Sequence, residues 1–133
     1  MHSMTLRFAI TGACLLLAAT PALAHHSFTA EFDATKPIKL TGKVTKIEWT
    51  NPHAYLYLDV ADEQTGKVMN WAIEMGSPIS LSRLGWKRTS MKVDDVVTVE
   101  GTLGRFKDNL ANARSVVLAN TGQKLGAASS EPR

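Results

Sequence analysis

From Leu40 to Leu125 the chain alternates apolar and polar residues in short runs divided by turn-forming clusters, the two-residue period of β-strands. Leu40 to Trp49 predicts a first strand. Leu40, Gly42 and Val44 share one parity, whereas Ile47 and Trp49 share the other. The apolar face therefore switches near Val44-Thr45, as a bulge or sharp bend would require, and Gly42 is expected to ease that bend. Thr50-Asn51-Pro52-His53 reads as a turn. Ala54 to Val60 alternates strictly, with Leu56, Leu58 and Val60 on one face and Tyr55, Tyr57 and Asp59 on the other. Asp62 to Gly66 predicts a hairpin loop, and Val68 to Met75 a third strand. Its apolar face is Met69, Trp71, Ile73 and Met75, with Asn70 and Glu74 opposite. Ser77 followed by Pro78 predicts a helix start, and Gly85 a stop after Ile79, Leu81 and Leu84. Strands are then expected over Val96 to Leu103 and Ala113 to Leu118, extended by Gln123 to Leu125.

The predicted order is β-β-β-α-β-β with a bent first strand, hence an all-β class with small helical content. It fits a five- to six-stranded OB-fold-like Greek-key barrel with one short helix between strands 3 and 4. A meander or an incomplete sandwich competes with it. Residues 25–36 carry Phe28 and Phe32 without clear periodicity and read as an N-terminal arm packed through those rings. The barrel is expected over 37–125, and 126–133 is small and polar enough to read as a flexible tail. Trp71 and Trp86 have apolar neighbours and are expected in the core.

The first 24 residues do not belong to this pattern. Arg7 precedes an apolar run from Phe8 to Ala19, and Ala22-Leu23-Ala24 forms a small-x-small site, which together predict a signal peptide cleaved after Ala24. The run is shorter than the roughly 20 residues a membrane span needs. A periplasmic or secreted location follows, with no membrane span in the mature chain. Cys14, the single cysteine, falls inside the leader and excludes an intramolecular disulfide. The chain of 133 residues is 44% hydrophobic and 20% charged, which suits one folded domain rather than a disordered chain. A formal charge of +3 without a dense Lys/Arg run gives no reason to expect nucleic acid as a partner.

Several segments carry a resemblance. Ala24-His25-His26-Ser27-Phe28, Glu31-Phe32-Asp33, Leu40-Thr41-Gly42 and Glu48-Trp49-Thr50-Asn51-Pro52-His53-Ala54 are among them, together with Trp71 to Glu74, Gly76-Ser77-Pro78, Gly85-Trp86 and Ala111 to Ser115. In combination they resemble an uncharacterised family of small exported bacterial proteins, a domain of unknown function. The resemblance covers almost the whole mature chain. It implies export and a small β-rich domain, and it brings no activity, substrate or site.

Candidate chemistry comes from the residues themselves. Cleavage after Ala24 would free the His25 amine, which with its imidazole chelates a metal, and His26 or His53 would add a third nitrogen. Nitrogen ligands in square geometry favour Cu(II). Cleavage after Leu23 would instead place His26 third from the amine, another copper arrangement. Asn51, His53, Tyr55 and Tyr57 form a second candidate. Asn51 shapes a turn, His53 exchanges protons near neutral pH, and the tyrosines offer stacking faces on strand 2. A sugar, a peptide or an anionic envelope component would suit them. No mature cysteine, G-x-S-x-G or glycine-rich phosphate loop is present, so an enzyme is not expected. The expected function is an exported, non-enzymatic binding module for a small ligand or envelope component. A copper-binding protein and a structural or protein-interaction domain of the envelope are the alternatives.

Overall fold

The computed structural model describes residues 28–132. The predicted leader over 1–24, with Cys14, and the candidate ligands His25 and His26 lie outside the described residues. Six strands carry the fold: β1 (Phe32–Glu48), β2 (Tyr55–Ala61), β3 (Val68–Glu74), β4 (Val96–Gly104), β5 (Leu110–Leu118) and β6 (Lys124–Gly126). One helix, α1 (Pro78–Arg83), separates β3 from β4. Ser77 caps it by accepting the Ser80 N–H through its hydroxyl, and Pro78 fills its first turn.

The strands join one sheet in the order β3-β2-β1-β4-β5-β6, with a further pairing between β3 and β5. Sequential neighbours pair antiparallel, whereas β3 and β5 run parallel through Ala72–Leu110, Ile73–Ala111 and Glu74–Asn112. That parallel pairing is why β5 begins at Leu110, three residues before the expected start. Asn109 and Asn112 give this segment a loop-like polarity, and pairing with β3 on one side and β4 on the other draws it into the sheet.

The long β1 serves two partners. Residues from Pro37 to Lys43 pair with β4, and Lys43 to Glu48 pair with β2. The register slips between Val44 and Lys46, where the change of apolar parity predicts a bulge. Gly42 also permits a close approach of the strands, since a Cβ there would stand 2.6 Å from the Asp59 carbonyl oxygen across the β1–β2 pair. β1 also begins at Phe32 rather than Leu40, so residues 32–36 of the segment read as an arm are strand, preceded by a helical turn over 28–31. Phe28 and Phe32 are both buried, with ring centroids 5.2 Å apart.

The core takes Leu56 and Leu58 from β2, Ile73 from β3, and Val44, Val97, Val99 and Val116 from their strands, with Met75, Leu81 and Trp86 closing over them. The Trp86 indole donates to the Gly126 carbonyl at 2.8 Å. Trp71, expected in the core, is only half-buried, and Met69 is 42% exposed. Their common face runs past the covering residues toward the β2–β3 hairpin. The expected flexible tail is tied down instead. Ala127 is buried and exchanges backbone hydrogen bonds with Gly76 and Arg114, and Glu131 stands 3.5 Å from the Arg114 guanidinium. Small residues suit this segment because it lies close against the sheet. No helix among the described residues is long and apolar enough to cross a membrane.

Candidate functional site

Tyr55 and Tyr57 alternate with core leucines, so β2 turns both rings to the opposite side of the sheet. There they meet residues brought level by the strand register. Glu48 on β1 pairs with Tyr55 on β2, Tyr55 with Glu74 on β3, and Glu74 with Asn112 on β5. A polar row thus crosses four strands on one face.

Hydrogen bonds lock this row. The Tyr55 hydroxyl donates to Glu74 Oε2 at 3.0 Å, and Asn112 Nδ2 donates to Glu74 Oε1 at 3.2 Å. Asn112 Oδ1 accepts from the Ser129 hydroxyl at 2.6 Å, and Thr102 donates to Glu131 at 3.1 Å. The C-terminal segment therefore covers one end of the row, which explains why Glu74, Asn112 and Thr102 are buried although they lie opposite the apolar core. Tyr57 donates to Glu48 Oε2 at 3.0 Å, and Glu48 also pairs with Lys46. The tyrosine rings lie 6.4 Å apart, tilted by 30°.

Electrostatics follow from burial. Desolvation lifts the Glu74 carboxyl above the usual carboxylate range and the Glu31 charge adds to this, while His53, Tyr55 and Asn112 pull the other way. Burial and the Glu74 charge push the Tyr55 phenol up, and Tyr57 moves up through burial and its bond to Glu48. Glu48 is lowered by its hydrogen bonds from Lys46 and Tyr57.

His53 follows the cis Asn51–Pro52 bond. Its Nδ1 is 3.0 Å from the Met75 carbonyl oxygen and 3.6 Å from Glu74 Oε1. A carbonyl only accepts, so Nδ1 carries the proton and Nε2 of the neutral ring keeps its lone pair. His53, Tyr55 and Glu74 line a cavity of about 330 Å³ with Phe28, Phe32, Glu31, Pro52 and Ser130. An adjoining groove shares Glu31 and Tyr55 and runs past Tyr57 to Phe106, whose ring is 87% exposed on the β4–β5 loop. A larger groove of about 600 Å³ lies toward the β2–β3 hairpin over Leu40, Val60, Met69 and Trp71. It has an apolar floor but not the buried polar row that marks the His53 cavity.

The structure thus brings together His53, Tyr55 and Tyr57. Asn51 is exposed and is not among the residues lining the cavity. Among the described residues, no group of three or more His, Cys, Asp or Glu is placed to hold a metal ion. Glu74, Asn112 and Phe106 are the members that sequence reading missed. Glu74 had a weak signal, as an acid on a strand with apolar neighbours on both sides, whereas Asn112 had none without the β3–β5 pairing.

Fold and site together define a small β-rich domain with a buried carboxylate, a histidine and two tethered tyrosines at one sheet face. The chain belongs to a family of unknown function, DUF6152, whose model matches residues 13–111. No curated protein matches it.

Proposed function

We propose that this protein is an exported, non-enzymatic binding module whose ligand lies along the tyrosine face and reaches the His53 cavity. The fold reading beneath it is an OB-fold-like Greek-key barrel. Supporting this are the β3–β5 pairing, which links the two ends of the run β3-β2-β1-β4-β5, and the helix between β3 and β4. In such barrels the face of strands 2 and 3 and its flanking loops receive oligosaccharides and oligonucleotides. The leader-like segment over 1–24 supports export, which leaves sugars and peptides of the envelope as the relevant ligands.

The observation that carries the reading is the fixed pair of tyrosines. Glu74 and Glu48 hold their hydroxyls, so their rings are oriented before a ligand arrives, and little ordering cost remains at binding. Phe106 extends the same aromatic surface. Muropeptides combine ring and peptide chemistry and serve as the probe. Calorimetry on the exported protein should find binding that Tyr57→Ala and Phe106→Ala each weaken by about 1–3 kcal/mol, the usual worth of one stacking contact. Undiminished affinity in both variants rejects the tyrosine face. An absence of muropeptide binding rejects this ligand class.

A second reading, copper binding, is favoured by the proton on His53 Nδ1. A histidine that gives one ring N–H to a carbonyl presents the other nitrogen as a metal ligand. Phe28 lines the same cavity, and this reading takes the remaining nitrogens from the mature amine, His25 and His26. Intact mass should first establish His25 as the exported N-terminus. Cu(II) titration should then give affinity that His53→Ala lowers by roughly tenfold or more. Copper bound no more tightly than by a histidine-free control peptide ends this reading.

A further inference from the structure

We infer that the His53 cavity recognises a protonated amine carried on a ring or apolar body. The inference rests on the binding-module reading and names the chemistry of its ligand. It comes from counting donors and acceptors. Each Glu74 oxygen accepts one hydrogen bond from the protein, at Oε2 from Tyr55 and at Oε1 from Asn112. A carboxylate oxygen has two lone-pair sites, so each retains one. His53 spends its Nδ1 proton on the Met75 carbonyl, and in the neutral ring its Nε2 accepts. The Glu31 carboxylate adds two more acceptors to the same lining.

Donors are scarce by comparison. The Tyr55 hydroxyl has committed its proton to Glu74, and the hydroxyl of Ser130 is the remaining side-chain donor of the lining. No lysine or arginine lines this cavity among the described residues. Arg105 is engaged with other groups, donating through Nε to the Thr29 carbonyl at 2.6 Å, with its guanidinium 3.9 Å from Asp33. An anionic ligand would meet two carboxylates with little to donate to it. An ammonium group has three donors and no acceptor, the complement of this lining.

The walls agree with that charge. Phe28, Phe32, Tyr55 and Pro52 line the same cavity. Aromatic faces attract cations when water is displaced. The adjoining groove gives the rest of the ligand a place beside Tyr57 and Phe106; Lys107 lines that groove and Lys46 stands over the Tyr57 ring, 5.4 Å from its centroid. An amine at the cavity end and a ring along the groove would satisfy both.

Benzylammonium, benzyl alcohol and phenylacetate separate the possibilities, with binding to the exported protein followed by NMR at neutral pH. Benzylammonium should bind at millimolar concentration and shift the signals of Phe28 and Tyr55. Benzyl alcohol should bind about tenfold more weakly, and phenylacetate should not compete, because charge-assisted hydrogen bonds carry the recognition. Glu31→Gln, at an exposed position, and the near-isosteric Glu74→Gln should each weaken benzylammonium by roughly tenfold, with folding checked by the retained dispersion of the spectrum. Equal binding of phenylacetate, absence of benzylammonium binding, or an unchanged affinity in Glu31→Gln overturns the inference. If muropeptide binding responds to Phe106→Ala while benzylammonium ignores Glu31→Gln, the tyrosine face stands and the amine chemistry falls. The opposite pair of results retains the amine site and removes the tyrosine face.

Discussion

Gly101→Ala is expected to destabilise the domain by about 3 kcal/mol or more, at the upper end of what overpacking costs. A Cβ at Gly101 would stand 2.0 Å from the Asn112 carbonyl oxygen and 2.9 Å from its carbonyl carbon. Both are backbone atoms of β5, so no side-chain rotation relieves the contact. Gly101 also lies where the β4–β5 register slips, between Glu100 and Gly101, and the strands close up there. The damage would extend to the site, because Asn112 is the residue that donates to Glu74. Urea unfolding measures the loss, and Gly66→Ala is the appropriate control. Gly66 has a φ of +70° with nothing within 4 Å of a built Cβ, so only the backbone strain of a left-handed alanine remains, about 1–2 kcal/mol. Equal stabilities for Gly101→Ala and wild type would mean that β5 can move at Asn112, against the packing described.

The same residue marks the boundary of what sequence could reveal. Leu56 and Leu58 announce a core face by strict alternation, and the structure buries both. Ser77 and Pro78 announce a helix start because capping is a local affair of a few residues. The parity change after Val44 announces a bulge for the same reason, since side-chain direction along one strand is local. Asn112 announces nothing. Its value arises when β5 comes beside β3 in parallel, and no periodic pattern encodes a partner 38 residues away. The tail was misread for the reverse reason. Ala127, Ala128 and Ser129 look like weak packers, yet smallness is what lets a chain lie flat on a sheet and place a hydroxyl on Asn112. His53 and the tyrosines were legible as chemistry, whereas the carboxylate that organises them was visible only as an acid on a strand.

That carboxylate should also govern how stability varies with pH. Glu74 is a group whose proton affinity rises on folding, because burial penalises its charge more than His53, Tyr55 and Asn112 favour it. The folded state therefore holds the proton more tightly than the unfolded chain, where the carboxyl titrates near its ordinary value of 4.5. Its contribution to stability is fully present below that value, and it is lost as pH rises through the folded-state pKa. Asp33, Glu48, Asp62 and Asp95 have the opposite sign, since hydrogen bonds or lysine partners lower each one, and their contributions are lost as pH falls. Wild type and Glu74→Gln share those four groups, so the difference between their unfolding free energies isolates Glu74. Glu74→Gln should gain on wild type from mildly acidic to neutral pH and hold a constant difference beyond. A difference independent of pH across that interval would show that the carboxyl titrates alike in both states. Glu74→Ala is the harsher change. It leaves buried Asn112 Nδ2 without its acceptor and releases the Tyr55 hydroxyl, a cost of about 1–3 kcal/mol for the buried donor alone. A stability loss in Glu74→Ala that exceeds any loss in Glu74→Gln would separate the hydrogen-bonding role of the side chain from its charge, and it is the hydrogen bonding that fixes the Tyr55 hydroxyl.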